Sequence, residues 1–400
     1  MNAKIRTGVF FGGPSVEHEV SVISAMQAIQ ALNPEKYQVI PVYTTKEGDF
    51  YTGPHLASLE SYRNIPAALA KATPVLLTRQ GKDVVLAPAH PRRFGKNPVQ
   101  PLDVALPVYH GTGGEDGVMQ AHFERLGLPY AGPDVTSSAI GMDKWASKAL
   151  FRLHGLPCLQ GPRLHKSDYY ADPQQTLLSL EQTVGYPMVI KPCDLGSSVG
   201  IHKCRDRTAL AEGLEDAFLY SPLVLTEPAV PHLLEINCAV LGDASSARAS
   251  VCEEPLNATD ILTYADKYQS GGKSAKTGGS KGMQSLSRQI PAPISPELTR
   301  RIQQLAVDAF HAINASGCAR VDFLMNGETQ EVWINEINTI PGSLAFYLWE
   351  ATGLSFSQLT EELISLALKR SREQKMLHRS FETNLLQTAS LGGSKAGKKV

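Results

Sequence analysis

The sequence lacks several signatures that would sort it at once. Its six cysteines, at 158, 193, 204, 238, 252 and 318, include no pair at CxxC spacing, which argues against a structural zinc site or a redox dithiol. No apolar run approaches the length of a membrane span, and the apolar stretch in MNAKIRTGVFFGG is too short for a secretory leader. Six free thiols in a reducing cytoplasm are therefore expected. Net charge is missing too: 38 basic against 39 acidic residues give −1, so there is no overall bias toward nucleic acid or an anionic membrane. The glycines of FGGPS do not form GxGxxG, and no acidic residue ends a clear second strand, which speaks against a dinucleotide-dependent dehydrogenase.

What is present is an ordinary globular composition, 42% apolar and 19% charged, over a length that suggests two or three domains. Residues 4 to 140 alternate strands and helices. KIRTGVFFGG reads as a short strand ending in glycines. SVEHEVSVISAMQAIQAL then has helical spacing, with Val16, Val20 and Ile23 on one side and Ser15 as the expected N-cap. YQVIPVY and DVALPVYHG are further strands. A strand leading through glycines into a helix is the pattern of doubly wound α/β domains, which place ligands at strand C-termini. The Pro-rich stretch 52–101 is expected to be irregular or inserted. In the second unit, DKWASKALFRLHG reads as a helix with a glycine stop, YPMVIKP and SVGIHKC as strands flanking CDLGS, and LVLTEPAV as another strand. LLEINCAVLG, a long Gly/Ser/Lys-rich loop including 270–282, a helix near 296–315, a hairpin and two short helices follow. The loop has the composition of a mobile lid, and the tail ending GGSKAGKKV that of a disordered segment. There is no internal repeat.

Five stretches carry chemistry. In VIKPCDLGSSVGIHK, Gly196 and Gly200 bracket two serines between strands, so the backbone could turn its N–H groups toward a phosphate, with Lys191 supplying charge. It is not the GxxxxGK(S/T) nucleotide loop, and an ordinary flexible hairpin reads equally well from these residues. Lys144 opens a helix, where solvent is its ordinary surrounding. Glu17 and Glu19 fall in the first turn of a helix, either to offset its dipole or to hold a substrate ammonium. His110 ends a strand among the glycines of YHGTGGEDG, at a crevice position.

The fifth stretch is the hairpin RVDFLMNGETQEVWINEIN, 320–338. Period-2 geometry puts Arg320 and Asp322 on one face of its first strand, and Glu336 and Asn338 on one face of its second. An Asn-Gly turn at 326–327 would set Asp322 opposite Glu331. A longer loop centred near Thr329 would set Asp322 opposite Glu336, and it keeps Val332 and Ile334 in line with Glu336. The longer loop is expected because it gathers the charges among Trp333, Ile334 and Ile337. Such hard oxygen donors suit magnesium.

FGGPSVEHEVS, YHGTGGEDG, GMDKWASK, VIKPCDLGSSVG, YADKY, RVDF and NEINTIPGSL, taken in this order, resemble the D-alanine:D-alanine ligases of the ATP-grasp superfamily, from about residue 5 to 370. The resemblance implies an α/β and α+β multidomain chain with the ATP-grasp fold. Its parts would be an N-terminal doubly wound α/β domain (1–140), a central subdomain (141–226), a C-terminal subdomain (227–371) and a disordered tail (372–400). ATP would lie between the last two domains. Lys144, Lys191, Gly196 and Ser198 would contact it at the phosphates. Glu227 would meet the adenine amino group, Val230 the ring and Glu235 the ribose. Asp322, Glu336 and Asn338 would hold two magnesium ions, for which manganese could substitute, and Arg320 would steady the transferring phosphoryl group.

By the same resemblance, Glu17 would bind the ammonium of the first D-alanine, linked through Ser197 to Tyr268. Lys267 would reach the phosphoryl group or the second carboxylate, which Ser343 and Leu344 would also take, with His110 nearby. The family is cytoplasmic, homodimeric and serves peptidoglycan synthesis. Here PGSL is continuous, the segment from Glu227 to Glu235 is one residue longer than usual, and the 270–282 loop is long. The first and last of these features lie near the second-substrate site, so D-serine or D-lactate stands as an alternative acceptor. A catalytically silent ATP-binding regulator is the alternative from another class.

Overall fold

The computed structural model describes residues 3–91, 97–256, 288–378 and 383. Lys267, Tyr268, the 270–282 loop and nearly all of the tail beyond 378 lie outside the described residues. The elements gather into three sheets.

The first sheet contains β1 (Ile5–Gly12), β2 (Tyr37–Thr44), β3 (Phe50–Thr52), β4 (Thr73–Gln80), β5 (Asp83–Pro88), β6 (Gln100–Leu102) and β7 (Val104–Pro107), in the order β6-β5-β4-β3-β2-β1-β7. β1 runs parallel to both β2 and β7. Val9, Phe10 and Phe11 are fully buried, as expected of a central parallel strand covered on both faces. Among its described residues the stretch 52–101 is not irregular: β4, β5 and β6 extend the sheet antiparallel from β3. Its prolines misled because they occupy tolerated places. Pro54 and Pro66 start helical turns, while Pro74 and Pro88 sit near strand ends.

Helix α1 (His18–Ala31) follows β1. Its N-cap position is occupied by Glu17, not Ser15. Ser15 Oγ instead accepts a 3.1 Å bond from the Glu17 backbone N–H, and Val16 lies outside the helix, exposed. The reason is a tight turn over Ser15–His18, closed by the His18 N–H to the Ser15 carbonyl at 3.1 Å, which delays the helix start.

The second sheet, β8 (Arg163–His165), β9 (Met188–Pro192), β10 (His202–Cys204) and β11 (Leu223–Pro228), is antiparallel in the order β10-β9-β11-β8. It has its own apolar core around Met188, Ile190, Leu210, Leu214 and Val224. The third sheet contains β12 (Leu233–Asp243), β13 (Ser246–Pro255), β14 (Arg288–Gln289), β15 (Gly317–Asn326) and β16 (Val332–Asn338), in the order β14-β13-β12-β15-β16. The helix Pro296–Ala312 covers one face. The helices Phe346–Thr352 and Phe356–Lys375 share a core with β1 and α1: Trp349, Leu359 and Leu363 join Val9, Phe11 and Val22 in one cluster. The first and third sheets are thus welded by buried apolar surface. All six cysteines are free and buried, as expected.

Candidate active site

The hairpin β15–β16 supplies the acidic side of the site. Arg320 lies opposite Asn338 and Asp322 opposite Glu336, so the longer loop is the one formed. Asn326 Oδ1 caps that loop by accepting from the backbone of Glu328 at 2.9 Å and Thr329 at 3.1 Å. The alternation does not run straight through, however. The register shifts after Asp322, leaving Phe323 opposite Ile334 and Asn335 without an opposite residue. This bulge reverses the phase of β16. Ile334 goes into the core with Phe323, while Glu336 faces the other way; the expectation that Val332 and Ile334 fall in line with Glu336 fails for this reason.

Arg320 grips Asp322 with both arms, Nε to Oδ1 at 2.6 Å and Nη2 to Oδ2 at 2.7 Å, and Asn338 Nδ2 donates to Asp322 Oδ2 at 3.0 Å. Burial works against the Arg320 charge, but the Asp322 carboxylate more than offsets it and raises its pKa above the ordinary value. Lys144 is buried, not solvated. Its Nζ lies 3.1 Å from Glu336 Oε2 and donates to the Leu195 carbonyl at 2.5 Å. Burial alone would lower its pKa; Glu336 lifts it above the usual lysine value. Asp143 caps the helix Lys144–Leu153 through the backbone of Trp145 and Ala146 and so fixes where Lys144 starts.

The Gly196–Gly200 loop approaches from the second sheet. Ser197 and Ser198 both adopt left-handed backbone, at φ 56° and 59°. Ser197 Oγ donates to Glu17 Oε1. Glu17 sits between two glycines for a steric reason: a Cβ at Gly196 would fall 2.8 Å from its Oε2, and one at Gly111 would fall 2.9 Å from the same atom. Lys191 donates to Glu227 Oε2 at 2.9 Å and to Asn335 Oδ1 at 2.8 Å. Glu227 is fully enclosed, and its Oε1 is taken by Lys148. Burial would raise the Glu227 pKa, but the two lysines hold it below the carboxylate range.

Between these walls lies an open cleft, about 900 Å³ of space counting the part open to solvent. Lys144, Lys191, Gly196, Ser197, Ser198, Val230, Glu235, Asp322 and Glu336 line it, with Val189, Phe323 and Leu324 giving an apolar side. Sequence reasoning assembled most of this wall. It missed Lys148, Asn335 and Asn237, whose only signal is polarity within apolar stretches. The oxygen donors fit magnesium: two carboxylates and an amide share one face, and Lys144 and Arg320 stand against the two acids.

His110 is placed behind the cleft. Its Nδ1 lies 2.8 Å from the Ile340 carbonyl and its Nε2 2.8 Å from Ser24 Oγ. A carbonyl only accepts, so Nδ1 carries the proton; burial lowers the His110 pKa and keeps the ring neutral. Ser24 therefore donates to Nε2 and accepts the Ser343 N–H at 2.9 Å. This chain anchors a turn in which Ser343, Leu344 and Ala345 are all left-handed, while the buried Ser343 Oγ has no partner among the described residues. Glu115 closes the same region, accepting from Ile340 N at 2.9 Å and Gly111 N at 3.1 Å.

The chain that folds around this cleft is matched by known proteins. The family model described as D-ala D-ala ligase N-terminus matches residues 6–133, and that described as D-ala D-ala ligase C-terminus matches 150–365. This chain belongs to the D-alanine–D-alanine ligase family. A D-alanine--D-alanine ligase of Thermosipho melanesiensis is 34% identical over 96% of this chain and 98% of its own length. One of Caldicellulosiruptor bescii is 36% identical over 95% and 99%. Among solved structures, the D-alanine-D-alanine ligase from Coxiella burnetii matches with a TM-score of 0.75 at 29% identity, covering 93% of this chain and 96% of that one. The VanG D-Ala:D-Ser ligase from Enterococcus faecalis matches with a TM-score of 0.73 at 28% identity, covering 91% and 100%. The fold is the ATP-grasp fold of these ligases. Among the described residues no helix is long and apolar enough to cross a membrane.

Proposed function

We propose that this protein is an ATP-dependent ligase that joins two D-alanines into D-alanyl-D-alanine for peptidoglycan precursors, with ADP and phosphate as the other products. The observation that carries the reading is the meeting of Asp322, Glu336, Asn338 and Arg320 with the Lys144–Lys191 wall, beside the Ser197–Glu17 contact. A free carboxylate is a poor acyl donor. Transfer of the γ-phosphoryl group to the first D-alanine activates it as an acyl phosphate; the deprotonated amine of the second attacks the acyl carbon, and phosphate leaves.

The assignment of residues follows the same reading. Glu17 holds the ammonium of the first D-alanine, with Ser197 fixing its carboxylate. Arg320, Lys144 and Lys191 offset the spread charge of the transferring group in a water-poor site. Val230 and Glu235 take the ring and ribose; Glu227 is given the adenine amino group by resemblance alone, since Lys148 and Lys191 hold its two oxygens. Gly196 and Ser198 approach the phosphates. Asp322, Glu336 and Asn338 would hold two magnesium ions, which when bound neutralise phosphate charge. Ser343 and Leu344 take the second carboxylate; His110 acts on that turn through Ser24 rather than by touching substrate. Lys267 and Tyr268 are assigned by resemblance alone. The domains divide near 140, 226 and 371, and the working unit is a cytoplasmic homodimer.

Phosphate release with D-alanine and each of D-alanine, D-serine and D-lactate as acceptor tests this reading. D-alanyl-D-alanine is the expected main product. A dominant D-lactate product would overturn the acceptor assignment, and ATP binding without phosphate release would favour the silent regulator.

A further inference from the structure

We propose that Lys148, buried behind the cleft wall, is a positioning residue that sets the positive charge Lys191 presents to the phosphates of the nucleotide. The inference rests on reading this cleft as the ATP site.

An ammonium has three N–H donors. Lys191 gives one to Glu227 Oε2 at 2.9 Å and one to Asn335 Oδ1 at 2.8 Å. The third has no partner among the described residues, and Lys191 lines the cleft. Asn335 reaches Lys191 because the β16 bulge leaves it without a cross-strand neighbour. Glu227 would cancel the charge of Lys191 if the two stood alone, and the cleft would then face a neutral pair. Lys148 takes the other Glu227 oxygen and returns the cluster to a net +1. Lys148 is only 2% exposed at its side chain and does not line the cleft, so it cannot touch the nucleotide. Burial lowers the Lys148 pKa from the ordinary lysine value and Lys191 adds to the fall, while the Glu227 carboxylate in direct contact opposes both and favours the charged form.

A residue that merely satisfied a buried carboxylate would affect every ligand of the cleft alike. A charge-setting residue acts in proportion to ligand charge, because Coulomb energy scales with it. The readout is therefore the ratio of ATP to adenosine affinity, measured by calorimetric titration of the full chain with magnesium present.

Lys148→Met should lower that ratio by about tenfold, and Lys148→Gln, which keeps a hydrogen bond to Glu227, should lower it similarly. Glu227→Gln should raise the ratio, since both lysines then stand uncompensated. Lys148→Met/Glu227→Gln should return it to near the parent value. Circular dichroism reports folding, and the Gln variants decide the matter if the Met variant does not fold. An unchanged ratio in the Lys148 variants, or equal losses for adenosine and ATP, would overturn the inference while leaving the ATP site in place. Failure of the parent chain to bind ATP would overturn the site reading and the inference with it.

Discussion

The first and third sheets are joined differently from the way either meets the second. Trp349, Leu359 and Leu363 from the C-terminal helices and Val9, Phe11 and Val22 from the N-terminal unit belong to one apolar cluster. The second sheet keeps a core of its own and reaches the others through polar groups: Ser197 to Glu17, Leu195 to Lys144, Lys191 to Asn335. The contrast has a physical meaning. A shared core excludes water and fixes geometry, so Glu17 on one unit and Asp322 on the other hold a set separation. A junction made of ions and hydrogen bonds can exchange protein partners for ligand partners at little net cost. The cleft lies along that second kind of junction.

The contrast can be broken from the core side. Trp349→Ala should cost about 3–5 kcal/mol and should weaken the first and third sheets together in chemical denaturation. Loss confined to the third sheet would mean that the two cores are not one. From the polar side, Asp322→Asn should cut phosphoryl transfer by roughly 10²–10³-fold and, because buried Arg320 loses its carboxylate, should also lower the denaturation midpoint while the chain still folds. Turnover near the parent level would remove Asp322 from the metal site.

Glu115 tests the seam between N-terminal and C-terminal units. Burial raises its pKa to about 7, whereas an unfolded glutamate titrates near ~4.3. The folded chain thus holds a proton that the unfolded chain releases between these values. Stability is full below the lower one, falls by about 4 kcal/mol as pH rises toward the upper, and then levels. Glu115→Gln should flatten that slope, and an unchanged slope would assign it elsewhere. Ser24→Ala removes the bond that holds the Ser343 N–H together with the one to His110 and should cost roughly 1–3 kcal/mol. It should raise KM for the acceptor D-alanine while leaving KM for ATP near the parent value; equal changes in both would make Ser24 merely structural. The smallest effect belongs to Lys36→Ala. Its bridge to Glu361 spans the same two units but lies in solvent, so the denaturation midpoint should not move measurably.

Much of the site was legible because acids and glycines are costly where they stand. Asp322 and Glu336 amid Trp333, Ile334 and Ile337 demanded a shared partner, and the demand selected the right register over the Asn-Gly turn. Strict alternation could not reveal the bulge at Asn335, since an inserted residue leaves composition unchanged. His110 was flagged by its place at a strand end, yet its partners, Ser24 and the Ile340 carbonyl, come from distant segments. The Pro-rich stretch hid three strands because proline tolerance depends on position in the element, not on frequency.

By itself the sequence determined the central parallel strands, the Gly196–Gly200 turn, the facing of Arg320 with Asp322, and the family, since these depend on local period, backbone freedom and motif order. Only the tertiary structure decided that Lys144 is buried, that Lys148 stands behind Lys191 through Glu227, and that Glu17 nests between Gly111 and Gly196. Those outcomes depend on which charges meet after the sheets have packed, and a charge acquires its worth from the water it has lost and the partner it has found.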